Sequence, residues 1–171
     1  IFGWMFGESF GYVNYFLIKI GLPQFTRAWL TSKDTAMGII LVANLWYNIG
    51  FITILFLAGL QSISTDILEA AVVDGATGLR KIVYIILPNL KESFVITGIW
   101  GVVTALKVFV EPMVMTGGGP GNITKTLYMY IYNTAFKYFD MGYASAMAFV
   151  LSGLILLFSL INLLISKGGK E

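Results

Sequence analysis

The 171-residue sequence predicts an all-α, polytopic membrane protein, and two observations carry that expectation. Residues 35–65 and 141–166 contain no charged side chain, and each run exceeds the ~20 residues that cross the hydrocarbon core as a helix. Hydrophobic residues make up 57% of the chain and charged residues only 12%. The mean hydropathy of +0.82 is far from that of a soluble globular domain. A third uncharged run, 93–106, is extended past Lys107 and Glu111 by Pro112-Met113-Val114-Met115. A buried soluble core accounts for one such run but hardly for three, so three complete spans are expected.

The composition also narrows the chemistry. The chain has no cysteine and no histidine, which removes disulfides, thiolate metal sites, histidine-based zinc sites and triad hydrolysis. No catalytic or metal-binding residue is therefore assigned. A net charge of +2, scattered along the chain, gives no basic patch for nucleic acid. The chain opens at Ile1 without a basic region and cleavage site, unlike a signal peptide, and reads as the C-terminal part of a longer protein.

Taken in order, residues 1–34 begin with Phe2, Trp4, Phe6, Phe10 and Tyr12 and end in a polar stretch at Lys33-Asp34. Aromatic residues gather where bilayer meets water, so the segment reads as the end of a preceding helix and an outer interfacial stretch. A first span is expected over 35–60. It holds Asn44, Trp46, Tyr47 and Asn48 near its middle. Two amides in an apolar span need a helix neighbour or a wet cavity, because lipid offers no hydrogen-bonding partner.

A polar loop follows over 61–92, then a second span over 93–116. Gly117-Gly118-Gly119-Pro120-Gly121-Asn122 stops it, since glycine is too permissive and proline lacks an N–H. Residues 117–142 form an outer loop whose aromatic second half suits a short interfacial helix. The third span covers 143–166, and 167–171 is a small basic tail. Loop and tail concentrate Arg80, Lys81, Lys91, Lys167 and Lys170, so by charge density both are cytoplasmic.

Within the loop, Asp66 and Glu69 have capping-box spacing, which predicts two helical turns from Ile67 to Asp74 with Gly75 as a left-handed stop. Pro88 biases Leu87 away from the helix and marks a turn toward the second span. A plain reading leaves Glu69 as a cap and Ala70 and Ala71 as good helix formers. A hairpin at Asp74-Gly75 fails, because residues 66–73 lack alternation.

Glu69-Ala70-Ala71, three residues, Gly75, nine residues and Ile85-Ile86-Leu87-Pro88 form a pattern that resembles the loop of binding-protein-dependent ABC importer permeases. Every fixed position is filled at the family's spacing. Gly11-Tyr12-Val13-Asn14, Leu60-Gln61-Ser62-Ile63-Ser64, Gly118-Gly119-Pro120, Thr126-Leu127 and Gly142-Tyr143-Ala144-Ser145-Ala146 resemble the carbohydrate-uptake branch, and the likeness runs over essentially the whole chain. It implies a partial type I ABC importer permease fold in a bacterial or archaeal cell membrane, the inner one if there are two.

The resemblance further implies a short coupling helix, in which Glu69, Ala70, Ala71, Asp74, Gly75 and Pro88 connect to a cytoplasmic ATP-binding subunit dimer. The other implied partners are a second homologous permease subunit, an extracytoplasmic solute-binding protein and membrane lipid. No cofactor is implied for this chain. It lacks the phosphate-binding Gly-x-x-x-x-Gly-Lys-Ser/Thr pattern, so ATP would be bound by the partner.

In maltose-type permeases the middle of the span before the loop lines the sugar cavity, where Asn44, Trp46, Tyr47 and Asn48 fall here. The competing reading is interhelical packing, with each Asn worth ~1 kcal/mol or less. In the next span the matching positions are Gly101, Ala105 and Val108, without hydrogen-bonding side chains. That departure leaves the sugar open. Lys107 and Glu111 are four apart, one face of a helix, and are expected to pair structurally; a phosphate-bearing cargo would make Lys107 a contact.

Two further functions remain in view: the same fold serving glycerol-3-phosphate, a polyamine or an amino acid, and an ion-coupled secondary transporter. The latter needs ionisable residues deep in the spans, and the two longest uncharged runs have none. An intramembrane enzyme would need a nucleophile with a base or metal ligands there, and no such set is present.

Overall fold

Twenty-six consecutive residues without a charge or a proline, Ala36–Gln61, fold as one α-helix, about 39 Å long at the usual rise per residue. The computed structural model describes residues 1–8 and 10–167, the last by its backbone alone. The tail expected at 167–171 otherwise lies outside the described residues. Among those described, the regular structure is helical throughout, without a strand.

The helices in chain order are α1 Phe2–Met5, α2 Tyr12–Lys19, a 3-10 turn Pro23–Phe25, α3 Ala36–Gln61 and α4 Thr65–Val73. Then come α5 Leu79–Lys81, a π-helical turn Ile82–Ile86, α6 Leu87–Asn89 and α7 Lys91–Leu106. The chain continues with α8 Val110–Met115, α9 Leu127–Tyr132 leading into a second π turn at Asn133–Lys137, and α10 Met141–Lys167. Three stretches, Ala36–Gln61, Lys91–Met115 and Met141–Ser166, are long and apolar enough to cross a membrane. At most 17% of the most apolar part of each is buried within the chain, so their flanks require lipid or other protein as cover.

The contacts divide the chain into two compact units. One comprises Ile1–Tyr47 with Ala105–Ser152. Its core includes Ala36, Ile40 and Ala43 of α3, Pro112 of α8, Met129 of α9, and Ala144 and Leu151 of α10. Asn14 ties the first segment together. Its Nδ2 donates to the Arg27 carbonyl at 2.9 Å, and its Oδ1 accepts from the Trp29 indole at 2.7 Å. Gly117, Gly118, Gly121 and Asn122 all adopt positive φ, so the glycine-rich loop turns sharply. A Cβ at Gly118 (φ +88°) would lie 3.1 Å from Cε of Met129, which leaves that position to glycine. Buried Thr124 holds the loop, its hydroxyl 2.6 Å from that of Thr116 and donating to the Gly119 carbonyl at 2.7 Å.

The second unit comprises Asn48–Thr104 and the chain from Gly153 onward. Here α3 meets α7 through aromatic pairs, Phe51 with Trp100 (centroids 4.5 Å apart) and Phe56 with Phe94 (4.8 Å). A Cβ at Gly59 would fall on Ser93 Oγ and 2.9 Å from Cδ2 of Leu90, so the two backbones approach closely at that glycine. A Cβ at Gly98 would lie 2.5 Å from Nδ2 of Asn162, bringing α7 equally close to α10.

Residues 1–34 hold α1, α2 and a 3-10 turn at Pro23–Phe25. Two local expectations are corrected. The second span is interrupted: α7 ends at Leu106, Phe109 caps α8, and Lys107 and Val108 lie between. Pro88 does not turn the chain out of the helix. Leu87 is itself helical (φ −59°, ψ −43°), and its N–H bonds to the Ile82 carbonyl five residues back. The π turn ends two residues before the proline, so the absent proline N–H breaks no regular ladder.

Candidate functional site

The candidate docking element is α4. Ser64, in an extended conformation (φ −63°, ψ 145°), accepts a hydrogen bond on its hydroxyl from the Ile67 N–H at 3.4 Å. Asp66 therefore sits in the first turn, where its charge suits the positive end of the helix. It is not the cap, and the expected Asp66–Glu69 box is replaced by the Ser64 cap. The reason lies one residue earlier. Ile63 is buried and Leu68 is half-buried, and with Ser64 as cap these occupy the two positions of a hydrophobic staple. A cap at Asp66 would put Thr65 and Ala70 there instead.

The far end closes as a Schellman motif. Gly75 has φ +76°, the Ala76 N–H reaches the Ala71 carbonyl at 2.8 Å, and the Gly75 N–H reaches that of Val72 at 3.0 Å. Ala71 is buried, whereas Glu69, Ala70, Val72, Val73 and Asp74 are exposed. Val73 is 87% exposed, an unusual place for a branched apolar side chain at a helix end. Thr65, Leu68, Glu69, Val72, Val73 and Lys81 line an open groove of about 460 Å³. Its lining is mostly apolar, with one hydroxyl, one acid and one base.

Pro88 lies outside that groove, within the helical path from Leu79 to Leu106. The sequence pattern that identifies α4 thus brings Glu69 and its neighbours onto one exposed ledge, and places Pro88 in the connection to the next span.

The four cavity candidates divide between the two units. Asn44 donates from Nδ2 to Oε1 of Glu111 in α8 at 3.1 Å. Trp46 (71% exposed) meets the ring of Phe2 edge-on, and Tyr47 is 79% exposed. In the other unit, buried Asn48 accepts on Oδ1 from the Trp100 indole at 3.2 Å. Both amides therefore bond to a neighbouring helix. Glu111 takes Asn44 as its partner, and among the described residues it forms no ion pair with Lys107. The expected Lys107–Glu111 pair fails because the break at 107–109 destroys the shared helical face on which it depended. The roles of Ser64 and Trp100 were missed: a serine three residues before an isoleucine resembles no capping box, and a tryptophan in an apolar span reads as lipid-facing.

A family model described as "Binding-protein-dependent transport system inner membrane component" matches residues 3–169. The chain belongs to this family. Its members are membrane transport components, not enzymes. The chain is 41% identical over 154 residues to the sulfoquinovosyl glycerol transport system permease protein SmoG of Agrobacterium fabrum, covering 90% of this chain and 49% of that one. It is 36% identical to the probable ABC transporter permease protein YurN of Bacillus subtilis, over all of this chain and 59% of the relative. The trehalose/maltose permease MalF of Thermococcus litoralis is 34% identical, over 98% of this chain and 56% of its own length.

Among solved structures, a bacterial ABC transporter involved in the import of the acidic polysaccharide alginate superposes with a TM-score of 0.84. It is 25% identical, over 99% of this chain and 59% of that chain. These likenesses establish a partial ABC importer permease fold. The chain spans about half to three-fifths of the length of these relatives.

Proposed function

We propose that this chain belongs to a membrane permease that imports a sugar or sugar-like solute, driven by a separate ATPase through α4. The observation that carries the proposal is α4 itself: a capped, glycine-terminated helix between two membrane-length helices, with an exposed apolar ledge. Glu69, Ala70, Ala71, Asp74 and Gly75 form the coupling element and Pro88 lies in its link to the second span. In this reading 61–92 is cytoplasmic and 117–142 faces outward.

The partners are a cytoplasmic ATP-binding dimer, a second permease subunit and an extracytoplasmic binding protein. Cargo delivery and ATP binding close the dimer, draw the coupling helices together and open the cavity outward; hydrolysis resets it. The cargo path includes Asn44, Trp46, Tyr47 and Asn48. Relatives whose names specify trehalose/maltose or sulfoquinovosyl glycerol transport support a carbohydrate class. The amide–aromatic mixture suits it, since amides bond hydroxyls and rings cover the apolar face of a sugar.

A cysteine at Val73 tests the proposal in the assembled transporter. These 171 residues contain no cysteine, so once any cysteine elsewhere in the permease subunits is replaced, a thiol crosslink from position 73 to the ATPase subunit reports on one site. The crosslink should form and should block sugar-stimulated ATP hydrolysis. Labelling of position 73 from the extracytoplasmic side would overturn the topology and the coupling role together.

A further inference from the structure

We propose that Glu111, oriented by Asn44, is a specificity-determining residue of the transport path that favours hydroxyl- or amine-bearing cargo over anionic cargo. This rests on the reading of the chain as a sugar permease. Glu111 is only half-buried, and its carboxylate accepts a hydrogen bond from the Asn44 amide at 3.1 Å. A carboxylate offers about four acceptor positions, so capacity is left for water or a ligand. Among the described residues no cation neutralises it. Lys107, the basic residue closest in sequence, lies within the helix break and does not pair with it.

The break points the same way. A carboxylate inside a span faces the bundle interior or a wet cavity, because lipid cannot solvate it. Irregular backbone at membrane depth is tolerated where it is buried in protein or lines such a cavity. Both features meet within five residues: the interruption at 107–109 and Glu111. The break is anchored by Thr126, whose hydroxyl donates to the Val108 carbonyl at 2.8 Å, so the carboxylate is presented from a fixed turn. Interrupted spans are where transporters place their polar cargo contacts. A fixed carboxylate there accepts hydrogen bonds from sugar hydroxyls or an ammonium group. It also repels carboxylate, phosphate or sulfonate, which is selection by an introduced repulsion.

The test uses the complete importer in proteoliposomes with its binding protein and ATPase. Uptake is measured for labelled maltose, glucosamine disaccharide and digalacturonate in the wild type and Glu111→Gln. The glutamine keeps an acceptor for Asn44 and removes the charge. It should shift the uptake ratio toward digalacturonate by about tenfold, the factor carried by ~1.4 kcal/mol, with ATPase assembly unchanged.

In parallel, Glu111→Cys should react with an impermeant charged thiol reagent, and the sugar that is taken up should slow that reaction. An unchanged ratio in Glu111→Gln, or a cysteine that is unreactive or unprotected by transported sugar, would overturn the role of Glu111 while leaving the permease reading intact. If the wild type imports none of the three sugars, the carbohydrate reading falls and this inference with it. The labelling arm needs no uptake by the glutamine variant, so it decides the matter even if that variant assembles poorly.

Discussion

Trp100 donates its indole N–H to Oδ1 of Asn48 across 3.2 Å, while its ring packs on Phe51 with centroids 4.5 Å apart. One side chain thus supplies both the polar and the apolar contact between α3 and α7. Trp100→Phe should keep most of the ring packing and lose the hydrogen bond, lowering stability by about 0.6 kcal/mol, the average for such bonds in membrane helices. Trp100→Ala should cost several times more, through lost packing. Unfolding of the purified complex in mixed micelles separates the two; equal losses would show that the hydrogen bond alone holds this contact.

Gly59 marks a close approach of α3 to the start of α7. Gly59→Val would drive its side chain into Ser93 and Leu90 and should destabilise the protein by about 1–3 kcal/mol, as overpacking does. Combining it with Leu90→Ala and Ser93→Gly opens the space and should recover much of the loss. Thermal unfolding of the single and the combined variant beside the wild type checks this, and a Gly59→Val midpoint equal to the wild type's would contradict the packing described.

Gly75 is constrained by its backbone and not by its surroundings. It sits at φ +76° with nothing within 4 Å of the point a Cβ would occupy, so a side chain fits but the conformation costs roughly 1–2 kcal/mol for most residues. Asparagine tolerates this region best, and a β-branched residue least. ATPase binding and transport should therefore survive Gly75→Asn and fall steeply in Gly75→Val. Equal activity of the two would remove the Schellman closure from the coupling argument.

Ser64 should be replaceable by aspartate and not by alanine. Losing the cap costs about 1 kcal/mol, so hydrogen exchange at the Ile67 amide should speed up roughly fivefold in Ser64→Ala. In Ser64→Asp it should stay near the wild-type rate. The same measurement on Asp66→Ala should show a smaller change, because Asp66 acts only through the helix dipole.

The local errors of sequence reading share one physical origin. Ser64 and Asp66 both carry good capping oxygens, and the choice between them was made by the burial of Ile63, a tertiary event. Pro88 has a real bias against the helix before it, yet the π turn at Ile82–Ile86 absorbed the missing donor. Lys107 and Glu111 have helical spacing, which says nothing once the helix breaks between them. In each case a local rule was sound and a neighbouring segment overrode it.

The membrane class, the three long apolar stretches and the existence of a short helix around Glu69-Ala70-Ala71 were determined by sequence alone. These depend on composition summed over many residues or on contiguous spacing, and neither needs knowledge of distant partners. Only the tertiary structure decided that Asn44 meets Glu111, 67 positions away, and that Asn48 meets Trp100, 52 positions away. A hydrogen bond acts over about 3 Å with a narrow angular range, so its partners are chosen by how separate helices pack, not by their order along the chain.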